Sequence, residues 1–386
     1  MQQKLNEEEL SSLVRSVFSL TPKDRRLAVL VDVPDDVVPD NDAWRARRRM
    51  AFEWVMGLKK GQRSLNLESV VLVAYPNVHS NNADLPETAF LIEKSPEFLN
   101  TNQLALSGKS QSFENILSGH QIILAPTQFS TTAPLKLLAK KFGFRAATMP
   151  GFSEDMIPAL RLDYSRINRR VERIKQQLDP AIGLDIQFSD INDKAHSVHF
   201  DLRHRSAHAS GGRLPDPGTA GNLPSGECYI VPYEGEKEEP SRSEGTLPVQ
   251  FEDEIVLYRI EKNKAIEILS NGPFSDRERK KIADEPAYAN IAEIGFGVLR
   301  DFGVKPTGEI LLDEKLGLHI AFGRSDHFGG AVGVKDFSSP DKVIHIDRIY
   351  IPETQPNIHV DRVILNFADG TLQTLMENGT YPEFRL

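Results

Sequence analysis

The distribution of apolar residues divides the chain into two halves of different character. Up to about residue 190, short apolar runs at 26–33, 69–75 and 120–126 alternate with helix-like segments such as 44–58. In that segment, apolar residues recur four positions apart, as they do on one face of a helix. Strands separated by helices are typical of parallel βαβ units. The first half therefore predicts an α/β domain with parallel βαβ units.

After about Asp190, glycine and proline become frequent and short β-like runs dominate. The sequence ADGT at 368–371 is a hairpin signal between two of these runs. We expect an N-terminal α/β domain over 1–190 and a β-rich α+β domain over 191–386. The β-like runs of the second half are 227–235, 254–263, 309–315, 318–323, 343–351 and 361–370.

Charge and cysteine content restrict the partners and the compartment. The net charge of -9 argues against nucleic acid and anionic membranes, because both attract basic surfaces. A single cysteine, Cys228, excludes an internal disulfide and suits a reducing compartment. The N-terminal residues are too polar for a secretory signal, and no apolar run approaches the length of a membrane span. We expect a cytoplasmic globular protein that binds neither nucleic acid nor membrane.

The run VIHIDRIYI at 343–351 carries polar side chains where a buried strand would have apolar ones. Side chains two positions apart share one face of a strand, so His345 and Asp347 point the same way. A polar residue at a sheet edge, or a hydrogen-bonded core histidine, explains one such residue easily. For the pair, this structural explanation and a metal site are about equally favoured.

Other carboxylates and imidazoles lie in similarly apolar runs, and burying them unpaired would be costly. A shared divalent cation removes that cost, since carboxylate oxygens and neutral imidazoles are its usual ligands. The sequence therefore favours a metal site in the second half. The residues concerned, besides His345 and Asp347, are Glu227, Glu293, Glu314 and His319.

The motifs around these residues resemble those of metal-dependent aminopeptidases of the thermophilic, aminopeptidase T/S type. The resemblance extends into the first half, through FGFRAATMPGFSEDMIPALRLDY at 142–164. In the second half it is carried by NLPSGE (222–227), AEIGFG (292–297), LLDEKLGLHIAFG (311–323) and HIDRI (345–349).

The resemblance implies a two-metal peptidase that removes N-terminal residues from peptides, acting as a homodimer. The metals would be zinc, cobalt or manganese, and they would supply a hydroxide near neutral pH. Glu293 is the expected proton shuttle, and Glu227 the expected bridge between the metals. The implied metal ligands are Glu227, Glu293, Glu314, His319, His345 and Asp347.

The chain departs from this family at one position with chemical consequences. The family has a tyrosine shortly after the ligand histidine, whereas this chain has Asp326 seven residues after His319, followed by His327. A histidine can donate a hydrogen bond to an oxyanion, so His327 is the expected substitute and second catalytic residue. Two alternatives stay open. One is a mononuclear Fe(II) ring-cleaving dioxygenase of the dihydroxypyridine type, and the other is a metal-binding homologue without catalysis.

Two weaker signals favour structural explanations. The tract HSVHFDLRHRSAH at 196–208 is rich in histidine, but it is typical of a strand whose alternate residues face water. Cys228 adjoins Glu227 and, by alternation, points to the opposite face, which predicts an inert buried thiol.

Overall fold

The computed structural model describes residues 4–339 and 342–384, and this part of the chain forms two compact units. The expected domain boundary at residue 190 stays a prediction, because compactness by itself does not test independent folding. Unit 1 takes its described residues from Met1–Asn168 and Ser210–Ser225, and unit 2 from Arg169–Ala209 and Gly226–Leu386.

The helices are α1 (Glu7–Phe18), α2 (Asp42–Gly61), α3 (Thr101–Ser107), α4 (Phe113–Gly119), α5 (Thr132–Phe142), α6 (Ile157–Leu160), α7 (Tyr164–Leu178), α8 (Pro273–Asp284) and α9 (Ile310–Asp313). The strands are β1 (Arg26–Val33), β2 (Ser69–Pro76), β3 (Thr88–Ile92), β4 (Gly108–Ser112), β5 (Ile122–Ala125), β6 (Arg145–Thr148), β7 (Ala181–Asp190), β8 (Ala195–Asp201), β9 (His208–Ser210), β10 (Ala220–Asn222), β11 (Glu227–Ile230), β12 (Glu244–Phe251), β13 (Glu254–Glu261), β14 (Lys264–Ile268), β15 (Ile291–Gly297), β16 (Leu318–Gly323), β17 (His345–Tyr350), β18 (Ile358–Phe367) and β19 (Leu372–Glu377). Among the described residues, no helix combines the length and apolarity needed to cross a membrane.

Unit 1 contains a seven-stranded sheet in the order β10-β6-β5-β1-β2-β3-β4. The strands from β10 to β2 pair in parallel, and β3 and β4 add an antiparallel edge. In β1 every residue after Arg26 is buried, as expected for a parallel strand covered on both faces. Helix α2 contributes to that cover, packing on β1 and β2 through a stripe that includes Trp54 and Leu58. The predicted α/β class of the first half is confirmed.

Unit 2 is built on two sheets whose described pairings are antiparallel. The larger sheet has the order β14-β13-β12-β8-β7-β18-β19, and the smaller one the order β17-β16-β15-β11-β9. One face of the smaller sheet packs on the larger sheet through aromatic contacts, with 5.0 Å between the rings of Tyr350 and Phe188 and 5.0 Å between those of Phe322 and Tyr258. Since side chains alternate along a strand, the opposite face of the smaller sheet is left for other groups.

Several local predictions can be compared with these elements. The ADGT turn is confirmed, since β18 and β19 pair antiparallel across it and Gly370 adopts a φ of 84°. The prediction of a strand at 309–315 is wrong, because this segment forms α9 and a following 3₁₀ turn. A run of seven residues is too short for periodicity to separate a strand from a buried helical turn.

Candidate metal centre

Five of the six predicted ligands lie on one face of the smaller sheet of unit 2. Directly opposed residues of antiparallel strands point to the same face, and residues two apart on one strand also share it. Glu227 is opposed to Gly297, Gly295 to His319, and Ala321 to Asp347. The face that results carries Glu227, Glu293, His319, His345 and Asp347.

Small residues on the same face make room for these side chains. A Cβ atom on Gly295 would lie 1.9 Å from Nε2 of His319, and one on Gly297 would lie 2.2 Å from the carbonyl carbon of Lys315. Both positions therefore require glycine for close approach rather than for an unusual backbone conformation. In AEIGFG, the imidazole ring of His319 therefore explains Gly295, and the backbone of Lys315 explains Gly297.

Glu293 lies at the centre of the arrangement and contacts both histidines. Its Oε1 is 3.3 Å from Nε2 of His319, and its Oε2 is 3.4 Å from Nε2 of His345. Two groups of possible metal-ligand atoms include this residue. Within each group, all the atoms lie within 4.8 Å of one another. The buried group is Glu227, Glu293 and His319; the partly exposed group is Glu293, His345 and Asp347.

The donor set suits a divalent metal ion. Oε2 of Glu227 is buried and has no hydrogen-bond partner among the described residues, although an unpaired carboxylate oxygen is costly to bury. His345 donates from Nδ1 to the backbone carbonyl of Arg324 at 2.8 Å, which leaves Nε2 facing the carboxylates. Metal-binding histidines are commonly oriented in this way.

The electrostatics of the site favour positive charge at its centre. Burial by itself would raise the pKa of Glu293, but hydrogen bonds with His319 and His345 lower it well below its usual range. Burial by itself would lower the pKa of His319, but the hydrogen bond to Glu293 and the charge of Glu227 raise it to about 9. The carboxylates therefore stabilise a cation here, whether a proton on imidazole or a metal ion.

Glu314, the sixth predicted ligand, lies outside both donor groups. It begins the 3₁₀ turn before β16, and its carboxylate accepts a hydrogen bond from Nζ of Lys315. Burial raises the pKa of Glu314 to about 8, against the opposing charge of Lys315. The structure therefore pairs this carboxylate with an ammonium group.

Lys315 is a member of the site that the sequence reasoning missed. Its side chain is 1% exposed, and its Nζ also donates to Oε1 of Glu227 at 2.5 Å. Its sequence signal is the lysine of LLDEKLGLH, a run in which the predicted ligands are Glu314 and His319.

The loop at 324–331 places His327 beside the donor groups. The ring centroids of His327 and His345 are 5.3 Å apart, while Asp326 accepts a hydrogen bond from Arg324 at 2.6 Å. Burial, assisted by the charge of His345, lowers the pKa of His327 to about 4. His327 is therefore a neutral imidazole near pH 7, with a single N–H to donate.

Glu234, also missed by the sequence reasoning, anchors this loop. It accepts hydrogen bonds from Oγ of Ser325 at 2.5 Å and from the backbone N–H of Ala331. Nδ2 of Asn290, next to β15, donates to the same carboxylate at 2.6 Å. One buried glutamate therefore ties the loop to the sheet that carries the donor groups.

The remaining candidates lie apart from the two donor groups. His196 pairs with Asp190 at 3.2 Å and His199 with Asp185 at 2.7 Å, so neither imidazole joins a metal group within the described residues. Cys228 is buried opposite Phe296, on the other face of the sheet, and burial raises the pKa of its thiol.

Comparisons with known proteins give a likeness of fold. No family model and no curated protein matches the sequence. The solved structure of a 2,5-dihydroxypyridine dioxygenase from Pseudomonas putida matches with a TM-score of 0.59 and 17% identity, covering 98% of each chain. That of AmpT from Thermus thermophilus matches with a TM-score of 0.54 and 14% identity, covering 97% of this chain and 98% of that one. The chain thus shares an overall fold with both.

Proposed function

We propose that the protein is a metal-dependent hydrolase of the aminopeptidase type, which removes N-terminal residues from peptides. The observation that carries the proposal is the sharing of Glu293 by two donor groups on one sheet face. The aminopeptidase motifs of the sequence converge there, and the fold is similar to that of AmpT.

Three carboxylates and two imidazoles make up the two donor groups where a cation would sit. These residues would hold a divalent metal, which would supply polarisation of the scissile carbonyl and a water molecule of lowered pKa. The carboxylates also attract the free ammonium group of a peptide, which favours the N-terminal end of the substrate. The neutral His327 donates its N–H to the carbonyl oxygen as negative charge develops there.

The geometry supports an exchange of the roles expected for two glutamates. The two oxygens of Glu293 face different imidazoles, so Glu293 suits a bridging position better than Glu227 does. The same engagement of both oxygens argues against Glu293 as a proton shuttle. Glu227, whose Oε2 has no hydrogen bond and lies 3.6 Å from Nε2 of His319, suits a terminal ligand.

Metal analysis combined with a peptidase assay tests the proposal. Chelator-treated protein is reloaded with Zn²⁺, Co²⁺ or Mn²⁺, metal content is measured by elemental analysis, and hydrolysis of leucine and alanine anilides is followed. We expect metal-dependent hydrolysis that Glu293→Gln abolishes. Protein that binds no divalent metal under any loading condition would contradict the proposal.

A second candidate, a ring-cleaving Fe(II) dioxygenase, is favoured by the aromatic wall of the site. The rings of Phe328 and His345 are 5.4 Å apart, and those of Tyr229 and Phe328 are 4.9 Å apart. Such a wall suits a planar aromatic substrate, and the fold is similar to that of the 2,5-dihydroxypyridine dioxygenase. Oxygen uptake by Fe(II)-loaded protein on 2,5-dihydroxypyridine, without anilide hydrolysis, would favour this candidate. Bound metal without turnover in either assay would instead favour a non-catalytic metal-binding protein.

A further inference from the structure

A buried lysine, Lys315, bonds to two of the carboxylates predicted as metal ligands. Nζ of Lys315 donates to Oε1 of Glu227 at 2.5 Å and to Oε1 of Glu314. Two of the six predicted ligands are therefore engaged by an ammonium group. A lysine held between two carboxylates supplies the positive charge that a second metal would bring.

The backbone of Lys315 is held in place by the strand next to it. A Cβ atom on Gly297 would lie 2.2 Å from the carbonyl carbon of Lys315, and the backbone N–H of Gly297 donates to the carbonyl of Gly317 at 2.8 Å. The side chain is 1% exposed, so the ammonium is shielded from solvent. Moving it away would also leave Glu227 and Glu314 buried without their partner, which is strongly unfavourable.

The two donor groups differ in their bonding to this lysine. The buried group contains Glu227, whose Oε1 is already bonded to Lys315. The partly exposed group of Glu293, His345 and Asp347 has no lysine or arginine paired with it among the described residues. Because like charges repel strongly at low dielectric, a metal ion is opposed by Lys315 more in the buried group.

We infer that the Lys315 ammonium replaces the second metal ion, and that the centre holds a single divalent cation at Glu293, His345 and Asp347. The inference rests on the proposed function, since it requires that the site bind a metal. It changes the expected stoichiometry from two metal ions to one. It also gives Lys315 the role of supplying the positive charge in place of the second ion.

Stoichiometry measured by titration with Mn²⁺ alone tests the inference. Wild-type protein is expected to bind about one equivalent, and Lys315→Met about two, because the methionine keeps the volume and removes the competing charge. Lys281→Met is the matched control: Lys281 lies on α8 with its Nζ 3.8 Å from the centroid of the Tyr288 ring, apart from the donor groups. That variant is expected to stay at about one equivalent.

Electron paramagnetic resonance of the Mn²⁺-loaded wild type gives a readout that does not depend on the folding of any variant. A single ion gives an uncoupled six-line signal even in excess Mn²⁺, whereas a neighbouring pair gives an exchange-coupled one. A coupled signal and two equivalents in the wild type would overturn the inference and leave the proposed function standing. One equivalent in a folded Lys315→Met protein would also overturn it. Absence of any bound metal would instead refute the proposed function itself.

Discussion

Replacing Gly295 with alanine tests whether the donor groups depend on empty space above β15. The added Cβ would lie 1.9 Å from Nε2 and 2.1 Å from Cε1 of His319, where ordinary van der Waals contacts begin at 3.4 Å. The ring must therefore move by about 1.5 Å, away from Glu293 and Glu227. We expect overpacking to cost about 1–3 kcal/mol and the lost charge-assisted hydrogen bond about 1.5–3 kcal/mol, or roughly 2.5–6 kcal/mol together.

Urea denaturation and metal titration measure the two consequences of Gly295→Ala. The unfolding midpoint should fall, and divalent metal should bind more weakly than to the wild type. Gly119→Ala is the control, since no atom lies within 4 Å of the position where its Cβ would be. A Gly295→Ala protein with the midpoint and metal affinity of this control would refute the assignment of His319 to the space over Gly295.

Three further substitutions probe the charge, the loop and the stability of unit 2. Glu293→Gln removes the carboxylate shared by both donor groups, and calorimetric titration should show metal affinity reduced by at least about 100-fold. Glu234→Gln weakens the anchor of the loop 324–331, at a cost of roughly 1–3 kcal/mol, and should speed amide hydrogen exchange there. Asp201→Asn removes a buried carboxylate whose pKa burial would raise but hydrogen bonds from Arg203 lower. Its stabilising effect is present above its unfolded pKa of about 4 and is lost as pH falls through the folded value, so the variant should flatten the acid limb of the unfolding profile.

Each of these substitutions has an outcome that contradicts its reasoning. Metal affinity of Glu293→Gln equal to that of the wild type would remove Glu293 from the donor groups. Unchanged exchange in the loop would mean that Glu234 does not anchor it. Glu238→Gln serves as the control, because Glu238 is an exposed glutamate of the same segment. An unaltered acid limb in Asp201→Asn would assign acid unfolding to other carboxylates.

The local patterns of the sequence were sufficient for much of the fold. The unbroken apolar run of β1 and the alternation along β17 predicted strands that the structure contains. Helix α5 ends at Phe142 and is followed by Gly143, which adopts a φ of 77°. These features could be predicted because hydrophobic periodicity and glycine's tolerance of positive φ act within a few residues.

In the candidate site, too, local features could be predicted from the sequence, whereas contacts between distant segments could not. Alternation alone indicated that His345 and Asp347 share a face, and the register confirms that orientation. Alternation could not show that Glu293 lies between His319 and His345, because the order of strands in a sheet depends on pairings between distant segments.

Lys315 and Glu234 mark what only the tertiary structure decided. Lys315 lies 88 residues from Glu227 along the chain, and Glu234 lies 91 residues from Ser325, yet each pair is joined by a hydrogen bond of 2.5 Å. By itself the sequence determined which residue types share one face of each strand. The folded chain decided which charges meet there, because the electrostatic environment of a buried group is set by neighbours in space rather than by neighbours in sequence.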